Sequence, residues 1–276
     1  MELVYQSDAY CRVLDTEVKS VETLMVPEQP TGFGSVSGSC RILQRGIQFA
    51  STIIYPGGGG QHPDHGSFRI TGGHATRDTS ARVMEATAAD CRPILGVFKD
   101  GNSFWYLTEK MAPQPGTPVQ LAIDWQRRYD LMRTHTAMHI LIGVIWRDYR
   151  KLVTGSNLDI LKARLDFEFE GLGPSLLAEI EERANLEVAA ARPVRVSFAE
   201  PDSSVDGLIR TKTNLVPQGI TRLRFVDIVG LDRQADGGTH VGNTLEVGYI
   251  HMTGFDNKGK NNKRITMKLD PAPAPA

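Results

Sequence analysis

Two pairs of metal-binding side-chain types constrain this chain more than any other feature. His135 and His139 stand four residues apart. Asp236 and His240 repeat that spacing roughly a hundred residues later, so a fold that joins the pairs must bring two distant elements to one point. On a helix, residues four apart share a face, so His135 and His139 can bind one ion. Leu131, Ala137, Met138, Leu141, Val144 and Ile145 recur at a helical period, which predicts a helix within 124–152. The second pair brackets Gly237, Gly238 and Thr239, and glycine lets the backbone approach closely or take positive φ. The same segment also reads as a plain turn in which Asp236 bonds local amides. As a ligand, Asp236 carries the charge of a thiolate but donates less to the ion, so the site would tolerate other divalent ions.

Composition narrows the class. Of 276 residues, 41% are hydrophobic and 23% charged, as in an ordinary soluble protein. A chain this long buries a core without disulfides. The formal net charge of −1 excludes a global basic field, so any polyanion must be held by a local patch. Cys11, Cys40 and Cys91 show no CxxC spacing, which points to a reducing compartment. No apolar run spans a bilayer and the N-terminus lacks a secretion signal, so a cytoplasmic protein without a membrane partner is expected.

The chain changes character along its length. Strand-like segments at Tyr10–Val18, Cys40–Ile54, Ser67–Thr71, Ile94–Phe98 and Phe104–Leu107 alternate with turns at Pro27–Gly38 and Pro56–Gly66, which predicts a small β-barrel. Prolines at 113, 115 and 118 mark a linker. Beyond it, the helix at 124–152 and a second at Pro174–Ala190 mix with strands at Leu161–Phe169, Val194–Ala199, Arg222–Val229, Thr244–Tyr249 and Arg264–Leu269. The expected fold is α+β, with a barrel domain at 1–117, a second domain at 118–270 and a disordered tail at 271–276.

Two further segments suit a polyanion. Gly57–Gly60, followed by Gln61, expose successive amides fit for phosphate, although the P-loop Lys-Ser/Thr ending is missing. A flexible hairpin is the alternative there. Lys258, Lys260, Lys263 and Arg264 form the only dense basic run, as a phosphate contact or a solvated hairpin; Arg127 and Arg128 extend that surface.

Together these residues resemble a known family. Tyr55–Gly66, Ile123–Asp130, Met132–Leu141, Ala163–Phe167, Gly237–Val241 with Asn243 and Thr244, and Lys258–Ile265 follow, in order, the pattern of freestanding alanyl-tRNA editing proteins, relatives of the editing domain of alanyl-tRNA synthetase. The resemblance implies an N-terminal β-barrel, a C-terminal α+β editing domain, and one zinc ion held by two helix histidines, a cysteine and a histidine. Three ligands carry over as His135, His139 and His240, and Asp236 occupies the cysteine position. It further implies hydrolysis of the ester joining serine or glycine to alanine tRNA, by a monomer or homodimer that takes the tRNA acceptor end. Gln61 carries over as a catalytic cleft residue near that end, with Gly58, Gly59, Gly60, Arg127 and the basic run on the tRNA. Thr136 and Ser156 are candidate hydroxyls for reading the serine side chain, because sharp discrimination from alanine needs a hydrogen bond to the extra hydroxyl. Two other readings remain: an aminoacyl transferase to a small amine, and a metal-free tRNA-binding module.

Overall fold

A computed structural model describes residues 1–27, 41–71, 91–101, 103–109, 111–200, 208–212 and 222–271. The expected turn at Pro27–Gly38 and the tail at 272–276 lie outside the described residues, except for Pro27 itself. The chain divides into two units, Met1–Gly58 with His62–Arg128, and Gly59–Gln61 with Tyr129–Ala276. The division falls inside the long helix, between Arg128 and Tyr129, and not at the proline-rich segment ending at Pro118. The tripeptide Gly59–Gln61 leaves its sequence neighbours and joins the second unit.

The first unit is built from β1 (Glu2–Leu3), β2 (Val13–Pro27), β3 (Arg41–Phe49), β4 (Ser51–Thr52), β5 (Gly66–Ile70), β6 (Arg92–Ile94), β7 (Gly96–Asp100), β8 (Ser103–Thr108) and β9 (Pro118–Ile123). Seven of these form one antiparallel sheet in the order β6-β5-β9-β2-β3-β8-β7. Strand β2 serves two neighbours. Val13–Glu17 pair with β9, and after a register shift between Val18 and Ser20 the rest pairs with β3. Alternate residues point inward, so Leu14, Val18, Ile47, Phe49, Phe68, Val119 and Leu121 make one core. The sheet's end strands β6 and β7 are separated in the chain only by Leu95, whose amide donates to the Leu107 carbonyl of β8 at 2.9 Å. Strand β9 hides from sequence reading behind its leading proline, which sits where a strand tolerates a missing donor.

A buried ion pair organises the segment after β4. Arg128 is fully buried. Its guanidinium meets Asp64, with Nε donating to Oδ1 at 2.9 Å, and Nη1 and Nη2 donate to the carbonyls of Ala9 at 2.9 Å and Ile53 at 2.6 Å. Asp64 Oδ2 in turn accepts the Tyr55 amide at 2.6 Å. Arg128 therefore belongs to the core and not to an RNA-facing surface.

The second unit surrounds α1 (Trp125–Tyr149), which is buried without interruption from Asp130 to Ile145. A helix enclosed on every side must satisfy each polar side chain internally. Arg133 does so through the carbonyls of Val247 at 2.9 Å and Asp270 at 2.7 Å. Thr134 donates to Asp130 O at 2.8 Å and accepts the Leu161 amide at 3.0 Å. Around it lie β10 (Val153–Asp159), β11 (Lys162–Phe167), α2 (Pro174–Ala189), β12 (Val194–Ala199), β13 (Leu223–Ile228), β14 (Asp232–Ala235), β15 (Ile250–Gly259) and β16 (Asn262–Leu269). Two antiparallel sheets result, β10-β11-β16-β15 and β12-β13-β14. Helix α2 starts at Pro174, suited to a first turn, and buries Ile180, Ala184 and Val188. The expected strand at Thr244–Tyr249 is instead a 3-10 turn over Thr244–Val247, closed by a capping box. There the Asn243 side chain accepts the Leu245 amide at 2.8 Å, while Glu246 accepts the Asn243 amide at 3.1 Å. No helix among the described residues is long and apolar enough to cross a membrane.

The Asp64–Arg128 pair generates a stability prediction. Asp64→Ala leaves a buried guanidinium without its counter-charge, so it should lower unfolding free energy by about 3–5 kcal/mol. Urea denaturation of the variant against the parent chain measures this.

Candidate metal centre

Helix α1 supplies His135 and His139, and the turn after β14 supplies Asp236 and His240. One donor atom from each of the four lies within 4.8 Å of every other. The three imidazoles pack together, with ring centroids 5.0 Å (His135–His139), 4.3 Å (His135–His240) and 4.6 Å (His139–His240) apart. Asp236 Oδ1 stands 3.6 Å from His135 Nε2, and Oδ2 stands 3.0 Å from His240 Nε2. Such spacing matches donors that share one ion at ~2.0–2.2 Å from each.

Hydrogen bonds assign the free lone pairs. The Thr239 amide can only donate, and it points at Gln61 Oε1 from 3.0 Å, which fixes the orientation of that side-chain amide. The same oxygen is 2.9 Å from His135 Nδ1, so Nδ1 carries the proton and Nε2 is free to bind. Thr136 Oγ1 lies 3.2 Å from His240 Nδ1 and accepts the Val241 amide at 3.2 Å. His240 thus also turns Nε2 toward the centre. His139 is 5% exposed and makes no side-chain hydrogen bond to any described residue. Its ring faces two other imidazoles and a carboxylate, an arrangement that a divalent ion would satisfy.

The electrostatics agree. Burial pushes His135, His139 and His240 down from the ordinary histidine range, His139 to about 4, so all three are neutral near pH 7. Burial opposes the charge on Asp236, but His135 and His240 beside it outweigh that and hold its carboxyl well below the usual range. Asp236 Oδ2 also accepts the Gly238 amide at 2.6 Å, and the buried Arg224 guanidinium lies 3.8 Å away. Arg224 donates to the Asp236 carbonyl at 3.0 Å as well, which pins the turn. Three neutral nitrogens and one carboxylate are a fitting set for zinc.

Glycine is required at one position above all. A Cβ on Gly238 would stand 2.3 Å from His135 Cε1 and 2.8 Å from Gln61 Oε1. Gly59 and Gly60 adopt φ of +58° and +89°, and Cβ atoms there would lie 3.7 Å from Asp236 Oδ1 and 3.6 Å from Ser156 Oγ. These glycines line the open side of the centre.

Residues 223–266 match the family described as "Threonyl and Alanyl tRNA synthetase second additional domain". The chain is 33% identical over 222 residues to the alanyl-tRNA editing protein AlaX-M of Saccharolobus solfataricus, covering 80% of this chain and 87% of that one. With the AlaX-M of Methanosarcina mazei it shares 29% identity over 97% of this chain and 96% of that one. It is also 31% identical over 243 residues to the alanine–tRNA ligase of Methanococcus maripaludis, 86% of this chain but 25% of the ligase. The chain belongs to the alanyl-tRNA editing protein family.

Not every residue expected at the site lies beside the four donors. Gln61, His135, His139, Asp236 and His240 converge, with Gly59, Gly60 and Ser156 beside them. Thr136 is fully buried and bonded to His240 and Val241, so its hydroxyl is used inside the protein. Lys263 is 6% exposed, and its Nζ donates to Asn257 Oδ1 at 3.0 Å, Gly259 O at 2.7 Å and Lys260 O at 3.2 Å. Three donors on three acceptors leave nothing for a phosphate. Arg264 forks onto Asp166 at 2.7 and 2.8 Å. Only Lys258 and Lys260 of the basic run stay exposed. Gly58 lies in the first unit, where its carbonyl accepts the Tyr55 hydroxyl at 2.9 Å, and Arg127 there reaches the Pro63 carbonyl at 3.4 Å. Sequence reasoning missed Arg224 and Thr239. Thr239 sits within the quoted Gly-Gly-Thr-His run, whereas Arg224 carries no local signal.

Two predictions follow from the geometry. Gly238→Ala forces His135 and Gln61 apart and should weaken zinc binding by about 10–100-fold, read by competition with a chromogenic chelator. In the metal-free protein, His139 takes up a proton near pH 6.5 when unfolded but only near 4 when folded. Its contribution to stability is therefore complete above pH 6.5 and lost as pH falls from 6.5 to 4, on the order of a few kcal/mol. Urea midpoints across that window should fall less steeply in His139→Gln.

Proposed function

We propose that this chain is a trans-editing deacylase that removes serine, and also glycine, from mischarged alanine tRNA in the cytoplasm. The observation that carries the reading is the four-donor centre of His135, His139, Asp236 and His240 within a chain of this family. Deacylation joins a water oxygen to the carbonyl carbon, breaks the bond from that carbon to the ribose oxygen, and returns a proton to the ribose. A zinc ion held by the four donors supplies a Lewis acid for that chemistry. The protein's own residues do the rest. Neutral His135 and His240 stay oriented through Gln61 and Thr136. Gly59 and Gly60 leave space beside Asp236 Oδ1 where a side chain would otherwise stand. Ser156, exposed on β10 next to Gly60, reads the serine side chain in this proposal, which its exposure and its nearness to Gly60 support. Lys258 and Lys260, the exposed members of the basic run, with Arg127 and the amides of Gly58, Gly59 and Gly60, supply tRNA contacts, and the low net charge keeps binding modest and salt-sensitive.

Incubation with Ser-, Gly- and Ala-tRNA tests the proposal. Serine should be released fastest, Ala-tRNA should be spared, and chelation should slow the reaction. No serine release with zinc supplied would end this reading. Ser156→Ala should lower kcat/KM for Ser-tRNA by about tenfold, the worth of one hydrogen bond, while changing Gly-tRNA hydrolysis little.

A further inference from the structure

Gln61 stands among the catalytic candidates in the sequence, yet its hydrogen bonds face inward. It is 3% exposed. Oε1 accepts from His135 Nδ1 at 2.9 Å and from the Thr239 amide at 3.0 Å, and Nε2 donates to Thr239 Oγ1 at 2.8 Å. A side-chain amide has two acceptor lone pairs and two donors. Both lone pairs of Oε1 are used by the protein, so no acceptor remains for an attacking water or a substrate hydroxyl. The three bonds also join three separate stretches of chain: the tripeptide Gly59–Gln61, helix α1 and the turn that carries Asp236 and His240.

We propose that Gln61 is a positioning residue that acts through His135. It fixes the ring proton on Nδ1, so that Nε2 is the nitrogen offered to the ion, and it ties the Asp236–His240 turn to α1. Partners of this kind set ligand orientation and basicity, and losing one typically lowers metal affinity by about 10–100-fold. The glycine-rich segment thus has a second use beyond leaving room for substrate. Its last residue completes the metal site from a part of the chain far from all four donors. The inference deepens the metal-centred deacylase reading, but its test uses no tRNA, so either can fail alone.

Long-range proton–nitrogen correlation spectra of the metal-free protein report which ring nitrogen of each histidine is protonated. Wild-type His135 should be the Nδ1–H form. Gln61→Met, similar in volume but without the acceptor, should shift His135 toward Nε2–H and weaken zinc binding by about 10–100-fold. Gln61→Glu keeps both acceptor bonds, so it should restore the Nδ1–H form and bring affinity to within about threefold of wild type or tighter. Three results overturn the proposal. The first is a wild-type His135 protonated on Nε2. The second is a Gln61→Met protein with unchanged tautomer and zinc affinity that is only slower in turnover, which would make Gln61 catalytic. The third is Gln61→Glu impaired as much as Gln61→Met, which would mean general loosening of the fold.

Discussion

A buried histidine is a useful ligand only when something holds one of its nitrogens, and the second unit is arranged around that constraint. Taking three imidazoles and a carboxylate out of water is unfavourable unless each finds a partner. Gln61 and Thr136 hold the outer nitrogens of His135 and His240, while Gly238 and Arg224 hold Asp236. His139 alone looks only inward. The unbroken burial of α1 from Asp130 to Ile145 follows from the same logic. Its apolar residues anchor it on every side, and its polar residues are each met by a neighbour from another element.

The substitution of carboxylate for thiolate gains its physical sense from these neighbours. A thiolate offers one atom, whereas Asp236 offers two and divides them. Oδ2 takes the Gly238 amide, and Oδ1 faces His135 and the open side lined by Gly59. The carboxylate is therefore held ionised by the protein itself.

Half of the cationic side chains that resemble an RNA-binding surface in sequence are used inside the protein. Arg128 closes onto Asp64, Arg264 onto Asp166, and Lys263 onto the carbonyls of its own hairpin. Arg133 and Arg224 hold backbone carbonyls. A basic residue far from any apolar run looks solvent-facing by composition. Its real neighbour is often a carboxylate or carbonyl many residues away, and no local pattern encodes that.

Some features were legible from the chain itself, because they depend on local periodicity and on residue chemistry. The helical face of His135 and His139, the extent of α2 from its first-turn proline and strands β11 to β13 are of this kind, and the four side chains that the spacing singled out do come together. Local capping defeated the strand reading at Thr244, where Asn243 and Glu246 close a turn that β-propensity does not reveal. Strand pairing was also beyond reach, since register joins residues far apart in sequence. Tertiary structure alone decided that Gln61 bonds to His135 and Thr239, that Thr136 is buried beside His240, and that Arg224 holds the Asp236 carbonyl. The reason is the same in each case. Sequence specifies which atoms can donate and accept, but only folding decides which of them water no longer reaches and which partner must replace it.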